Sequence, residues 1–232
     1  MKNYLIIGAS SGVGKALAQR LAEEGHQVFG TYNSQVADSQ NLAVKYSQLD
    51  VLATDLDLDF LPDQLDGLVY CPGSINLKPF NRIKPEAFVK DFELQVGGAI
   101  KIIQAVLPKL KASENASIIM FSTVAVQQGF NFHSQVSTSK GAIEGLTRAL
   151  AAEFAPRIRV NCIAPSLLDT PLAGKLLSTD AKKEANAERH PMKQIGQAED
   201  IASMAEFLLG EKASWITGQI FQVDGGMSSI KG

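Results

Sequence analysis

Tyr4-Leu5-Ile6-Ile7-Gly8-Ala9-Ser10-Ser11-Gly12-Val13-Gly14 carries an apolar run that breaks directly into a glycine-spaced turn. From Gly14 to Glu24, Leu17 and Leu21 fall on one helical face, Lys15, Gln19, Arg20 and Glu23 fall elsewhere, and Gly25 stands where a helix would stop. A second apolar run, 27–31, follows. Strand, turn, helix and strand make one βαβ unit, and in that setting each glycine has a task. Gly8 permits a tight turn, Gly12 lets backbone approach a pyrophosphate, Gly14 lets helix and strand pack closely, and the helix N-terminus offers unpaired N–H donors. Strand-to-helix turns often contain glycine for steric reasons alone. The position straight after an apolar strand makes a nucleotide site the stronger reading.

Beyond this unit, runs rich in Val, Ile and Leu at 44–49, 65–70, 117–122, 158–163 and 219–223 alternate with longer segments of helical period. With 4–7 and 27–31 they predict an α/β fold, a Rossmann-like, doubly wound parallel sheet of about seven strands, in a single domain over residues 1–232. Phe88, Phe92, Val96, Ala99, Ile103, Leu107 and Leu110 predict one long helix over 86–110, ending near Pro108. Val136, Lys140, Ile143, Thr147, Leu150 and Phe154 predict another over 136–155, ended by Pro156. The connections at 33–43 and 50–64 are short for crossovers, so their helices should be single-turn or irregular. Residues 164–196 show no pattern and should form a lid or carry short helices of their own.

The chain has 232 residues, 45% hydrophobic and 20% charged, enough apolar material for a core. Its 22 Lys and Arg against 24 Asp and Glu give a net charge of −2, which supplies no field to recruit nucleic acid or an anionic membrane. The two cysteines, Cys71 and Cys162, stand far apart and read as free thiols of a reducing compartment. The first apolar run is too short for a signal peptide or a membrane span, so the expected location is cytoplasmic. The three histidines, His26, His133 and His190, support neither a metal cluster nor a Ser-His-Asp order.

The G-x-x-x-G-x-G spacing of Gly8, Gly12 and Gly14 resembles that of the short-chain dehydrogenase/reductase family, and the resemblance runs through the whole chain. Leu65 to Gly73 looks like the family's fourth strand and its N-N-A-G turn, of which only Gly73 keeps the usual residue. Ser117 to Thr123 resembles the fifth strand, Ser139-Lys140-Gly141-Ala142 the helix bearing the catalytic lysine, and Arg159 to Ser166 the sixth strand with its P-G loop. Thr170 and the closing Thr217 to Gly226 also fall in register. The resemblance implies a seven-stranded parallel sheet, an NAD(P)(H) cofactor and hydride exchange with a carbonyl or alcohol. It implies Gly8, Ser10, Ser11, Gly12, Val13 and Gly14 around the pyrophosphate, Asp50 and Val51 beside the adenine, and Cys71, Pro72 and Gly73 along the groove toward the adenosine ribose. Lys140 would hold the nicotinamide ribose, and Pro165, Ser166 and Thr170 the nicotinamide end. At the end of the second strand, where an acid would bind the adenosine 2′-hydroxyl and repel a 2′-phosphate, Gly30-Thr31-Tyr32-Asn33-Ser34 has none. Tyr32 and Asn33 thus favour NADP(H) over NAD(H), and Lys15 could help neutralise the phosphate.

One part of the pattern fails. The family's catalytic set is Y-x-x-x-K with a neighbouring serine: the phenol donates a proton to the carbonyl oxygen, the ammonium lowers its pKa, and the serine polarises the same oxygen. Lys140 is present, but the tyrosine slot holds Val136, the serine position falls on Thr123 with Ser122 beside it, and the family's asparagine aligns with Gln95. Tyr70 is expected to line the cofactor groove rather than reach the carbonyl, and His133 to be a loop histidine. Two functions stay open: a reductase acting through Thr123, Ser122 and Lys140 on a carbonyl or polarised C=C bond, and a nucleotide-binding homologue that serves as redox sensor or assembly subunit. The pocket mouth, 73–85 and 166–196, holds Phe80, Leu167, Leu168, Leu172, Leu176 and Leu177, which suits a small apolar substrate or a lid packing down on the core. Ala99, Ile102, Ala105 and Val106 offer apolar surface for a homodimer or homotetramer.

Overall fold

The computed structural model describes residues 1–34 and 43–230, so most of the connection expected at 33–43 lies outside the described residues. The strands are β1 (Asn3–Ile7), β2 (Gln27–Tyr32), β3 (Val44–Gln48), β4 (Gly67–Tyr70), β5 (Ala116–Phe121), β6 (Ile158–Pro165) and β7 (Ile220–Val223). The helices are α1 (Gly12–Glu23), α2 (Pro85–Phe92), α3 (Gly98–Lys111), α4 (Ala125–Gln128), α5 (Ser134–Phe154), α6 (Asp180–Glu188) and α7 (Ala198–Leu209). Every pairing in the sheet is parallel, and the order is β3-β2-β1-β4-β5-β6-β7. The chain winds outward from β1 to β3, returns to the middle, and winds outward again from β4 to β7. This reversal opens a crevice over the C-terminal ends of β1 and β4, the place where such sheets bind ligands.

Strand alternation decides which helices cover which face. Leu5, Ile7, Leu68, Ile118 and Met120 pack with Ile102 and Val106 of α3 and Ile143 of α5. Their alternates Tyr4, Ile6, Val69 and Ile119 pack with Leu17 and Leu21 of α1 and Ile201 and Leu208 of α7. Each fully buried side chain of this size contributes roughly 1.5–3 kcal/mol by leaving water. α1 ends where its sequence says it should: Gly25, at φ +81°, donates its N–H to the Ala22 carbonyl, and His26 donates to that of Leu21.

Four expectations need correction. The helix over 86–110 is interrupted: α2 and α3 are joined by a π-helical turn, Glu93–Gly97, and α3 runs past Pro108 to Lys111. Proline has no N–H to give, yet its own carbonyl still accepts from Ala112, so the helix survives for another turn. Ala99, Ile102 and Val106 are not spare surface. All three are buried in the core, and only Ala105 is exposed. The runs at 44–49, 65–70 and 219–223 form strands one or two residues shorter. Residues 50–64, where a single-turn or irregular helix was expected, hold turns and bends. Within 164–196 stand a short 3₁₀ turn, Pro171–Ala173, and α6, whose cap Thr179 accepts the Lys182 N–H. Among the described residues, no helix is long and apolar enough to cross a membrane.

Candidate active site

The turn after β1 is built for a close backbone approach. Gly8 and Gly12 have φ of +80° and +51°, where a side chain is strained, and a Cβ at Gly14 would overlap the Gly8 carbonyl oxygen. The Gly8 N–H donates to Thr31 Oγ1 at 3.2 Å and that of Ala9 to the Thr31 carbonyl at 2.8 Å, which ties the turn to β2. Ser11 caps α1 in an extended conformation but makes no side-chain cap bond, so the first-turn N–H groups remain open to an anion. This cradle fits the pyrophosphate of a dinucleotide.

A cavity of about 600 Å³ runs from the turn across the strand ends. Ser10, Ser11, Gly12, Val13 and Gly14 line its first stretch, with Asn33, Asp50 and Val51 to one side and Cys71, Pro72 and Gly73 beneath. Tyr32 and Lys15 are not on its wall. Asp50 Oδ1 accepts the Leu52 N–H at 2.9 Å, which fixes the turn after the segment at 44–48. Burial pushes the Cys71 thiol up to about 12, so it stays protonated beside the groove.

The far end gathers Gln95, Ser122, Thr123, Val136 and Lys140 with Pro165, Ser166 and Thr170. Val136 and Lys140 lie one turn apart on α5, and Val136 is buried. Burial brings the Lys140 ammonium down to about 8, against the opposing pull of Cys162, Asp91 and Cys71. A Cβ on Gly73 would lie 3.4 Å from Gln95 Oε1 and 3.7 Å from Lys140 Nζ, so both polar groups converge on that glycine. Gln95 Oε1 is buried without a hydrogen-bond partner among the described residues, an acceptor fit for a ribose hydroxyl.

Two expected donors divide. Ser122 Oγ donates to Glu144 Oε1 at 2.8 Å, so its proton is committed away from a substrate. Among the described residues Thr123 Oγ1 only accepts, from the Ala125 N–H at 3.3 Å, and keeps its own proton to give. Tyr70 does not line the groove. It is buried in the core, its hydroxyl donates to the Leu94 carbonyl at 2.6 Å, and burial raises its pKa further from use. Leu167, Leu168, Leu172 and Leu176 line the mouth, whereas Leu177 is buried elsewhere and Phe80 stacks edgewise on Phe88. His133 is on the wall, its Nδ1 2.8 Å from the Asn131 carbonyl.

The sequence reading missed Asp91. Its buried carboxylate accepts from Ser74 Oγ, from Gln95 Nε2 at 2.8 Å and from Ser139 Oγ at 2.6 Å, clamping the π-helical turn to α5 just before Lys140. The only signal was the i, i+4 spacing of Asp91 and Gln95 within the segment expected to be one long helix. His190, to which the sequence assigned no role, stands on the wall beside Ser166.

Comparison with known proteins agrees with this geometry. Residues 8–228 match the family model described as Enoyl-(Acyl carrier protein) reductase. An uncharacterized oxidoreductase, YmfI, of Bacillus subtilis is 31% identical over 97% of this chain and 98% of its own. The ligand-free aldohexose dehydrogenase of Thermoplasma acidophilum superposes with a TM-score of 0.91 at 27% identity, covering 100% of this chain and 96% of that one. ElxO with NADP bound (TM-score 0.88, 25% identity, 99% and 100% covered) and a 3-ketoacyl-(acyl-carrier-protein) reductase from Brucella melitensis with NADH (0.87, 25%, 98% and 98%) show the fold holding either dinucleotide. Matched by the family model over residues 8–228 and by such relatives over nearly its whole length, the chain belongs to the short-chain dehydrogenase/reductase family of nucleotide-dependent oxidoreductases.

Proposed function

We propose that this single-domain protein is an NADP(H)-dependent reductase of a small, largely apolar carbonyl or polarised C=C substrate, and that it works without the tyrosine acid. The observation that carries the reading is one continuous cavity. It joins an uncapped helix N-terminus behind three glycines to a buried lysine, an open threonine hydroxyl and a leucine-lined mouth. Bound reduced dinucleotide supplies hydride. Gly8, Ser10, Ser11, Gly12, Val13 and Gly14 hold its pyrophosphate, with Asn33, Asp50, Val51, Cys71, Pro72 and Gly73 along the adenosine. Lys140 and Gln95 take the nicotinamide ribose, Pro165, Ser166 and Thr170 the ring, and Thr123 the substrate oxygen. NADP(H) is favoured over NAD(H) because no acid follows β2 at Tyr32 to Ser34.

Val136 supports a second reading, a nucleotide-binding homologue without turnover, since a buried aliphatic side chain fills the tyrosine slot. Both readings place the protein in the cytoplasm as a homodimer or homotetramer. Val89 and Phe92, 56% and 42% exposed on α2, are the apolar groups such an assembly would cover. Thermal melts with NADPH and with NADH test the common premise. Stabilisation by about 2.7 kcal/mol is expected at a hundred times the dissociation constant, at lower concentration for NADPH. A melting curve unmoved by either dinucleotide would sink both readings.

A further inference from the structure

His190 is 3% exposed, and both of its ring nitrogens are engaged. Nδ1 lies 2.9 Å from the Asn186 carbonyl, which can only accept, so Nδ1 carries a hydrogen in every protonation state. Nε2 lies 2.8 Å from Ser166 Oγ. In the neutral ring Nε2 therefore accepts the serine proton. In the imidazolium it donates to Ser166 Oγ, which frees the hydroxyl proton for a third group. Ser166 faces the reacting end of the cavity. It follows Pro165, whose carbonyl accepts the Val124 N–H at 3.2 Å, so Ser166 and Thr123 stand at adjacent strand ends on one wall. An aliphatic residue, Val136, lines the same cavity where a proton donor is wanted.

Resting on the oxidoreductase reading above, we propose that Ser166 and His190 form a proton relay, Ser166 protonating the substrate oxygen and His190 recharging Ser166. Hydride addition to a carbonyl carbon breaks the C=O π bond and leaves its electron pair on oxygen. That oxygen takes the Ser166 hydroxyl proton, and Ser166 Oγ takes the proton of His190 Nε2. His190 ends neutral, its Nδ1–H still on Asn186, and solvent returns one proton before the next turnover. The charged groups of its own segment are Glu188, Arg189 and Lys193, the loop packed against it carries Asp224, and Lys140 stands elsewhere on the cavity wall. Arg189 lies over Phe130, Lys193 pairs with Glu188, and Asp224 is bonded to the Gly226 and Ser228 N–H groups, so none of these is bonded to the imidazole.

The first test needs no turnover: ¹⁵N NMR of the protein without ligand should show one histidine whose neutral ring is protonated at Nδ1 and whose Nε2 shift moves in Ser166→Ala. A neutral His190 protonated at Nε2 overturns the relay. The second follows NADPH oxidation with an activated 1,2-diketone. Ser166→Ala should lower kcat about tenfold or more at unchanged KM for the diketone, and His190→Gln, which cannot recharge Ser166, should lower it to a similar extent. Val136→Tyr added to Ser166→Ala should restore turnover, which a merely structural serine would not allow. Wild-type kcat in Ser166→Ala, or no rescue by the tyrosine, overturns the proposal. If Val136→Tyr turns over and wild type does not, the relay falls and the reductase pocket stands. If both bind NADPH and neither turns over, the oxidoreductase reading falls with it.

Discussion

The two ends of the cavity obey different rules. At the Gly8–Gly14 end the recognising groups are backbone, and the side chains are reduced to what leaves room: two glycines in the left-handed region and a third that no Cβ could replace without striking the Gly8 carbonyl. At the Val136 end the chemistry belongs to side chains, and on the proposed reading Lys140 keeps its place while Thr123 stands for the family's serine and Val136 for its tyrosine. Backbone recognition is set by conformation and tolerates little change. Side-chain chemistry can be redistributed among neighbours without disturbing the sheet that carries it.

The sharpest way to break the comparison is Gly14→Ala. The methyl group meets backbone rather than a yielding side chain, so α1 must shift off β1, at a cost of about 3 kcal/mol or more. The expected result is a lowered melting temperature that NADPH no longer raises, read by calorimetry with and without ligand. Next in size is Val136→Tyr. A phenol one turn before Lys140, within the cavity that Thr123 also lines, supplies the missing acid, and turnover on a ketone panel should rise at least about 10²-fold. A variant that binds NADPH as wild type does but gains nothing would mean that this end has lost the pocket as well as the tyrosine.

Lys140 gives a smaller effect with a definite sign. Its folded pKa of about 8 lies below the ordinary lysine value of 10.5, so between these pH values the unfolded chain binds more protons than the folded one. The stability contribution of this group is therefore full above 10.5 and is lost as pH falls through 8, a swing of roughly 3 kcal/mol. Denaturant melts of wild type and Lys140→Met at pH 7.5 and 10 measure it. The wild type should gain on the variant as pH rises, and parallel behaviour would show that the ammonium is not desolvated.

The same contrast explains what the sequence made legible. Strand runs such as 4–7 and 117–122 and the glycine turn could be read because periodicity and φ requirements are local. The π-helical turn at Glu93–Gly97 could not, since an extra residue in a helix leaves the apolar spacing of Phe92, Val96 and Ala99 almost unchanged. Ala99, Ile102 and Val106 looked surplus because a sequence does not show how much of a helix its core covers, whereas all three are buried in the cluster that also holds Leu5, Leu68 and Ile118 of the sheet. Asp91 and His190 were silent for the same reason: the partners that give them a role, Ser139 48 positions from Asp91 and Ser166 24 positions from His190, come within bonding distance only in the fold.

Tyr70 tests whether the boundary between core and site is drawn correctly, with the smallest expected effect. By sequence it belonged to the groove; in the structure its ring packs in the core and its hydroxyl donates to the Leu94 carbonyl, inside the π-helical turn. A Cβ at Gly98 would overlap that hydroxyl, so the glycine is what lets the bond form. Tyr70→Phe removes one buried hydrogen bond and leaves the Leu94 carbonyl short of a donor, which should cost about 1 kcal/mol of stability. NADPH affinity and diketone turnover should not change, because the ring keeps its packing and Gln95 is held by Asp91 rather than by Tyr70. A loss of turnover larger than the loss of stability would place the phenol in the proton path, and the side-chain end of the cavity would then extend to β4.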